Sequence, residues 1–247
     1  GGEELGSSQT TPAARYDLSG TRAALLLSVI HGRPGAQHDV EALGTLCQAL
    51  SFKTTLRTDP TAQAFQEELA QFRECLDAHR TPVSCALVAL MAHGGPQGQL
   101  LGADGREVWP EALVQELSRC RALCGCPKIF LLQACRGGEW GPTPHLPPPV
   151  LASHTQPSAT QDLLSTFFRK PERCVAYRDE TGSDFIQTLV EVFRADPGRE
   201  VLELLTEVCR GRGRALGRGV LGPDCPERRK ASLEIRSSLR RRLCLQA

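Results

Sequence analysis

No stretch of this chain is long and apolar enough to cross a membrane, since the longest apolar runs, such as Ala23 to Ile30, are only strand-length. Gly1 to Ala14 is polar, with no basic region leading into an apolar one, so no secretory signal is legible. Paired C-x2-C spacing is missing as well. The eleven cysteines are odd in number and scattered through a chain too large to need disulfide staples, which points to a reducing compartment, the cytosol, with the nucleus as a second address. Cys120, Cys124 and Cys126 cluster without a second ligand pair at a finger-like distance, so no zinc site and no cofactor is expected. Aromatic residues are absent between the arginines of Arg210-Gly211-Arg212-Gly213-Arg214. Residues 210–242 hold eleven Arg and Lys against Asp224, Glu227 and Glu234, a local charge of +8 in a chain that is +1 overall. Without rings to stack on bases, that stretch reads as a solvated loop and not as a nucleic-acid contact.

What is present suits one compact catalytic domain: 247 residues, 40% of them hydrophobic, suffice for a large core. Ala23–Ile30 reads as a central strand, followed by a loop and a helix from Gln37 to Leu50 with Val40, Leu43, Leu46 and Cys47 at helical spacing. A strand at Phe52–Leu56 follows. Asp59 and Pro60 predict the cap and first turn of a helix that aligns Phe65, Leu69, Phe72 and Leu76. Strand Cys85–Met91, a helix between Glu107 and Arg121, and strand Ile129–Leu132 continue the alternation. It predicts an α/β fold with a mostly parallel sheet covered by helices on both faces.

The pattern breaks between Gly137 and Gln161, where six prolines in 25 residues exclude a regular element and leave an extended linker. The chain therefore divides into a leader (1–15), a first segment (16–137), the linker (138–161) and a second segment (162–247). The second segment predicts a strand ending at Cys174–Arg178, helices over Asp184–Phe193 and Arg199–Cys209, and a last strand near Leu233–Leu245. It supplies no second nucleophile.

The chemistry points to Gln133-Ala134-Cys135-Arg136-Gly137, which follows directly on the apolar run Lys128–Leu132. A thiol at the carboxyl end of a strand can face the crevice where ligands bind in open α/β sheets. Ser84–Ala92 is a second strand-like run that ends in His93-Gly94, 42 residues before Cys135. Neighbouring parallel strands joined by a crossover helix would bring both residues to one sheet edge. An imidazole there favours the thiolate and returns a proton to a leaving amine. The backbone N–H groups of Gly94 and Cys135 could hold the oxyanion of a tetrahedral intermediate, on the order of 3 kcal/mol per donor.

The Cys135 pentapeptide is a caspase signature, and the likeness extends through Tyr16-Asp17-Leu18-Ser19-Gly20, Asp59-Pro60-Thr61-Ala62, Pro82-Val83-Ser84-Cys85-Ala86, Met91-Ala92-His93-Gly94, Phe185–Val190 and Leu202–Val208. In these runs, between Tyr16 and Gln246, the sequence resembles the caspases. The resemblance implies a caspase-haemoglobinase fold, a mostly parallel six-stranded sheet completed by large-subunit and small-subunit segments on either side of the linker. It also implies cysteine-dependent cleavage after aspartate, in a programmed cell death or epithelial differentiation setting. Holding an aspartate carboxylate calls for fixed positive charge and planar donors; Arg33, Gln133 and Arg178 match the positions of the family's pocket.

Two departures stand out. Where caspases carry Tyr-Ser-Thr before the strand ending in arginine, this chain reads Phe167-Phe168-Arg169-Lys170-Pro171-Glu172-Arg173, which alters the substrate groove. The linker also contains no Asp, so self-processing within it is not expected, and maturation would need another protease acting in the Pro-rich stretch or at Asp162. The leader is too short for an adaptor-binding death-fold domain. Partners implied by the family are protein substrates with aspartate before the cut, a second copy of the chain through the last strand, or another caspase. The alternative function is a pseudo-protease that binds and regulates other caspases.

Overall fold

The computed structural model describes residues 14–136, 161–169, 178–210 and 232–246. The linker positions up to residue 160, most of the leader and the basic residues 211–231 fall outside the described residues. The first segment runs β1 (Thr21–Ser28), α1 (Ala36–Ala49), β2 (Phe52–Thr58), α2 (Ala62–Asp77), β3 (Val83–Gly94), the short β4 (Leu100–Leu101) and β5 (Glu107–Val108), α3 (Pro110–Ser118) and β6 (Lys128–Arg136). The second runs β7 (Leu163–Arg169), the two-residue β8 (Arg178–Asp179) and β9 (Gly182–Ser183), α4 (Asp184–Ala195), α5 (Val201–Arg210) and β10 (Ser232–Ser237).

Six strands lie in the order β10-β7-β6-β3-β1-β2, parallel except for β10, and β4 and β5 pair beside the end of β3. The central strands are apolar at nearly every position because both sheet faces are covered. Alternation then sorts them into two cores. Ala24, Leu26, Leu87, Ala89, Met91, Ile129 and Leu131 pack with α1, α4 and α5. Ala23, Leu25, Leu27, Val88, Leu90, Phe130 and Leu132 pack with α2 and α3. Each fully buried Leu, Ile, Val, Phe or Met among them stabilises by about 1.5–3 kcal/mol relative to exposure.

Several expectations are corrected. Asp59 does not cap α2: it sits at φ 52° and its Oδ1 accepts from the backbone N–H of Ile30 (2.8 Å) and His31 (3.0 Å). The cap is Thr61, whose Oγ1 accepts from Ala64 N–H at 3.1 Å. The helix expected from Glu107 starts at Pro110, because Glu107 and Val108 pair with β4 and proline favours the first helical position. The strand that directly follows the linker is β7, and the expected run Cys174–Arg178 lies outside the described residues up to Tyr177, with Arg178 in β8. The last strand stops at Ser237, with only single bridges at Arg242 and Cys244 beyond it.

Asp162 is also unlike an exposed cleavage site. It is 1% exposed at φ 59°, and its backbone joins Lys128 N–H and Ser238 O. Tyr16 Oη donates to Oδ1 at 2.6 Å, while Arg240 donates Nε to Oδ1 (3.0 Å) and Nη2 to Oδ2 (2.6 Å). The Arg240 hydrogen bonds hold this carboxyl below its usual range, against the opposing effect of burial.

Eight cysteines among the described residues are free. Cys120 donates to Asp77 Oδ1 at 3.3 Å and Cys126 to Val83 O at 3.3 Å, so these two thiols are turned to different partners. Among the described residues no helix is long and apolar enough to cross a membrane.

Candidate active site

Parallel strands β1, β3 and β6 are neighbours, so their carboxyl ends open on one edge of the sheet. There His93 and Cys135 are register partners, as are Gly94 and Arg136, and Met91 and Gln133. Adjacent strands lie about 4.8 Å apart, so the two backbones stand one strand spacing from each other despite the 42 residues between them. His93 is half-buried, and its Nε2 would lie 3.7 Å from a Cβ built on Gly32. The imidazole therefore borders the turn that leaves β1. Gly32 is at φ +68°, a left-handed conformation that glycine adopts without strain.

That turn carries Arg33, and Asp59 fixes its start through the Ile30 and His31 amides. Arg33 is only 4% exposed. Its Nη1 donates to Val29 O at 2.7 Å and its Nη2 to Gln133 Oε1 at 3.4 Å. A buried guanidinium needs such acceptors to offset its lost hydration. Gln133, 1% exposed, donates its Nε2 to Ser183 Oγ at 2.5 Å. Ser183 caps α4 by accepting from Ile186 N–H at 3.3 Å.

The structure thus brings Arg33 and Gln133 into contact and sets His93 beside Cys135 in register. Arg178 enters through its backbone, as the register partner of Ser183 in the β8–β9 ribbon. Phe167 and Phe168 pair with Leu132 and Gln133 on β6, so the altered segment 167–173 begins at this same edge. Gly94 ends β3, where it pairs with Leu100 of β4 as well as with Arg136.

Two buried polar residues behind the site were missed by reading the sequence. Asp39, 0% exposed in the first turn of α1, accepts at Oδ1 from Ser183 N–H (2.9 Å) and Gln187 Nε2 (3.1 Å). Ser183 was legible in part, since a serine just before an amphipathic run is a cap signal. Asp39 carried no signal, because an acid in a helix's first turn ordinarily serves the helix dipole in solvent.

Among the described residues no group of three or more His, Cys, Asp or Glu is placed to hold a metal ion. The register brings His93, Cys135 and the Arg33–Gln133 pair to one sheet edge, residue types whose chemistry suits acyl transfer with a carboxylate-bearing substrate.

Comparison with known proteins gives the same architecture. The family profile of the Caspase domain matches residues 21–213. Caspase-14 of Homo sapiens is 41% identical over 241 residues, covering 94% of this chain and 96% of that protein. Caspase-14 of Mus musculus is 38% identical, covering 98% of this chain and 99% of its own length. Caspase-8 of Rattus norvegicus is 29% identical over 74% of this chain, which spans 40% of that protein. Among solved structures, Caspase-1 from Spodoptera frugiperda superposes with a TM-score of 0.73 at 25% identity, covering 98% of both chains.

Proposed function

Because this chain belongs to the caspase family, we propose that it is a cysteine endopeptidase cutting protein chains after aspartate, with Cys135 as nucleophile. The observation that carries this reading is the register pairing of His93 with Cys135, two residues after the Gln133 that Arg33 contacts.

The thiolate of Cys135 attacks the scissile carbonyl, forming a C–S bond as the carbonyl π electrons move to oxygen. The backbone N–H groups of Gly94 and Cys135 receive that oxyanion. His93, holding the thiol's proton, delivers it to the departing amine as the C–N bond breaks. Water then attacks the thioester carbonyl with the same imidazole taking its proton, and the C–S bond breaks, its electron pair returning to the Cys135 sulfur as the acid product leaves. Arg33, Gln133 and Arg178 hold the substrate's aspartate carboxylate, planar donors against a planar acceptor. The segments 16–137 and 162–247 act as large and small subunits about the linker 138–161.

The setting is cytoplasmic, in programmed cell death or epithelial differentiation. A second copy, or another caspase, pairs through β10, the terminal strand of the sheet path. Maturation falls to another protease, because the linker has no aspartate. That same lack, with the altered groove after Phe167, favours the second reading, a chain that binds other caspases without turnover.

Purified protein, with the linker intact or cut by an added protease, is incubated in reducing, high-citrate buffer with peptides varied at the residue before the cut (P1). The endopeptidase reading expects turnover of P1 aspartate that disappears in Cys135→Ala. No Cys135-dependent turnover in either form sinks it and leaves the binding role.

A further inference from the structure

The residues read as the P1 pocket come from two segments of the chain, and Asp39 joins them beside the Gln133–Ser183 hydrogen bond. Asp39 lies six residues after Arg33, at the start of α1. Across the fold its Oδ1 accepts from Ser183 N–H and from Gln187 Nε2, at 2.9 and 3.1 Å. Gly182 packs so tightly on this pair that a Cβ there would stand 2.5 Å from Asp39 Oδ1 and 2.7 Å from Gln187 Nε2.

Ser183, held in this way, has two consequences. Its Oγ takes the Gln133 Nε2 hydrogen bond, which leaves the Gln133 carbonyl oxygen turned to Arg33 and fixes which end of the amide faces which neighbour. Its backbone is the register partner of Arg178, so the β8–β9 ribbon that carries Arg178 inherits the same anchor. Hydrogen bonds accepted by a carboxylate are shorter and stronger than those between neutral groups.

We propose that Asp39 is a positioning residue for P1 recognition: by holding Ser183 it sets the orientation of Gln133 and the placement of Arg178, and so tightens the choice of aspartate over the longer glutamate. Asp39 itself does not touch the substrate. This role rests on the reading of Arg33, Gln133 and Arg178 as the pocket for the P1 carboxylate.

The test compares kcat and KM for matched peptides with aspartate or glutamate at P1. Asp39→Ala is expected to lower the aspartate preference by about tenfold, mainly through KM, because a small displacement of positioned donors weakens binding of the better-fitting ligand most. Asp39→Asn retains an acceptor oxygen without the charge, and about a threefold loss of preference is expected. Asp39→Asn also carries the test should Asp39→Ala fail to fold. A merely structural role would instead lower kcat with the active fraction and leave the preference unchanged, and that result overturns the proposal.

A binding arm separates this from failure of the endopeptidase reading. Product peptides ending in aspartate or glutamate are titrated calorimetrically into Cys135→Ala, alone and combined with Asp39→Asn. Preference for the aspartyl peptide that falls in the double variant supports Asp39 even if the native chain cuts nothing. Equal preference in both, or none in Cys135→Ala itself, overturns it.

Discussion

Arg240 grips Asp162 with two side-by-side hydrogen bonds, Nε to Oδ1 at 3.0 Å and Nη2 to Oδ2 at 2.6 Å, while Tyr16 closes on the same carboxylate from the other end of the chain. Three distant stretches thereby meet on one buried anion. Asp162→Asn is expected to lower the unfolding free energy at pH 7 by about 1.5–3 kcal/mol, the usual worth of hydrogen bonds to a charged group, read from urea midpoints.

The same contact sets a pH dependence. The folded carboxyl is held below its unfolded value, so its contribution is complete above the unfolded carboxylate range and fades as pH falls through the lowered folded value. The stability gap between the native chain and Asp162→Asn should therefore be full at neutral pH and shrink in acid. A gap that widened on acidification would contradict this assignment.

An aspartate-directed protease should leave the bond after Asp162 intact in the folded chain, since the side chain that would have to enter the protease's pocket is buried. N-terminal sequencing after a limited digest should find no new terminus at Leu163, whereas digestion in denaturant should produce one. Native cleavage there would mean that the Arg240 contact opens readily.

Gly182 is at φ +119° with Asp39 and Gln187 against it. Gly182→Ala combines a strained backbone with a clash, and a loss of about 2–4 kcal/mol is expected in thermal or urea unfolding. If the ribbon yields instead of the fold, stability will hold while the P1 preference drops.

Burial pushes the thiols of Cys47 and Cys85 up to about 12, whereas Cys75, Cys124 and Cys209 are exposed. Because only thiolates alkylate rapidly, iodoacetamide at pH 8.5 should label the exposed Cys75 and Cys124 ahead of Cys209, whose thiol is raised by partial burial, and spare Cys47 and Cys85 until the chain unfolds. Mass spectrometry of tryptic peptides reads this directly.

The parts of the fold that were readable from sequence are those governed by local pattern. The apolar runs of β1, β3 and β6 and the 3.6-residue spacing in α1 and α2 are enough to imply the sheet and its two covered faces, and the strand-end positions of His93 and Cys135 follow. What escaped depends on partners far along the chain. β7 reads Leu-Leu-Ser-Thr-Phe-Phe-Arg, and its buried Ser165 and Thr166 break any apolar alternation. Thr166 is tolerated because its Oγ1 donates to Phe130 O on the neighbouring strand, at 3.3 Å. Asp59 resembled a helix cap because Asp-Pro ordinarily precedes a helix, yet its side chain is taken by the turn after β1. Asp39 and Asp162 were opaque for the same reason, since nothing near them in sequence names a partner 144 or 146 residues distant.

The pairing of β6 with β7, together with the shared packing of α1 and α4, means that severing the chain between residues 137 and 160 would not divide it at a domain boundary. It would yield two fragments, each carrying one side of an unfinished sheet and half of an apolar layer. Neither has a surface suited to life alone in water. Such fragments behave as complementing pieces, so a nick should change the molecule's connectivity and its concentration dependence on refolding well before it changes its shape.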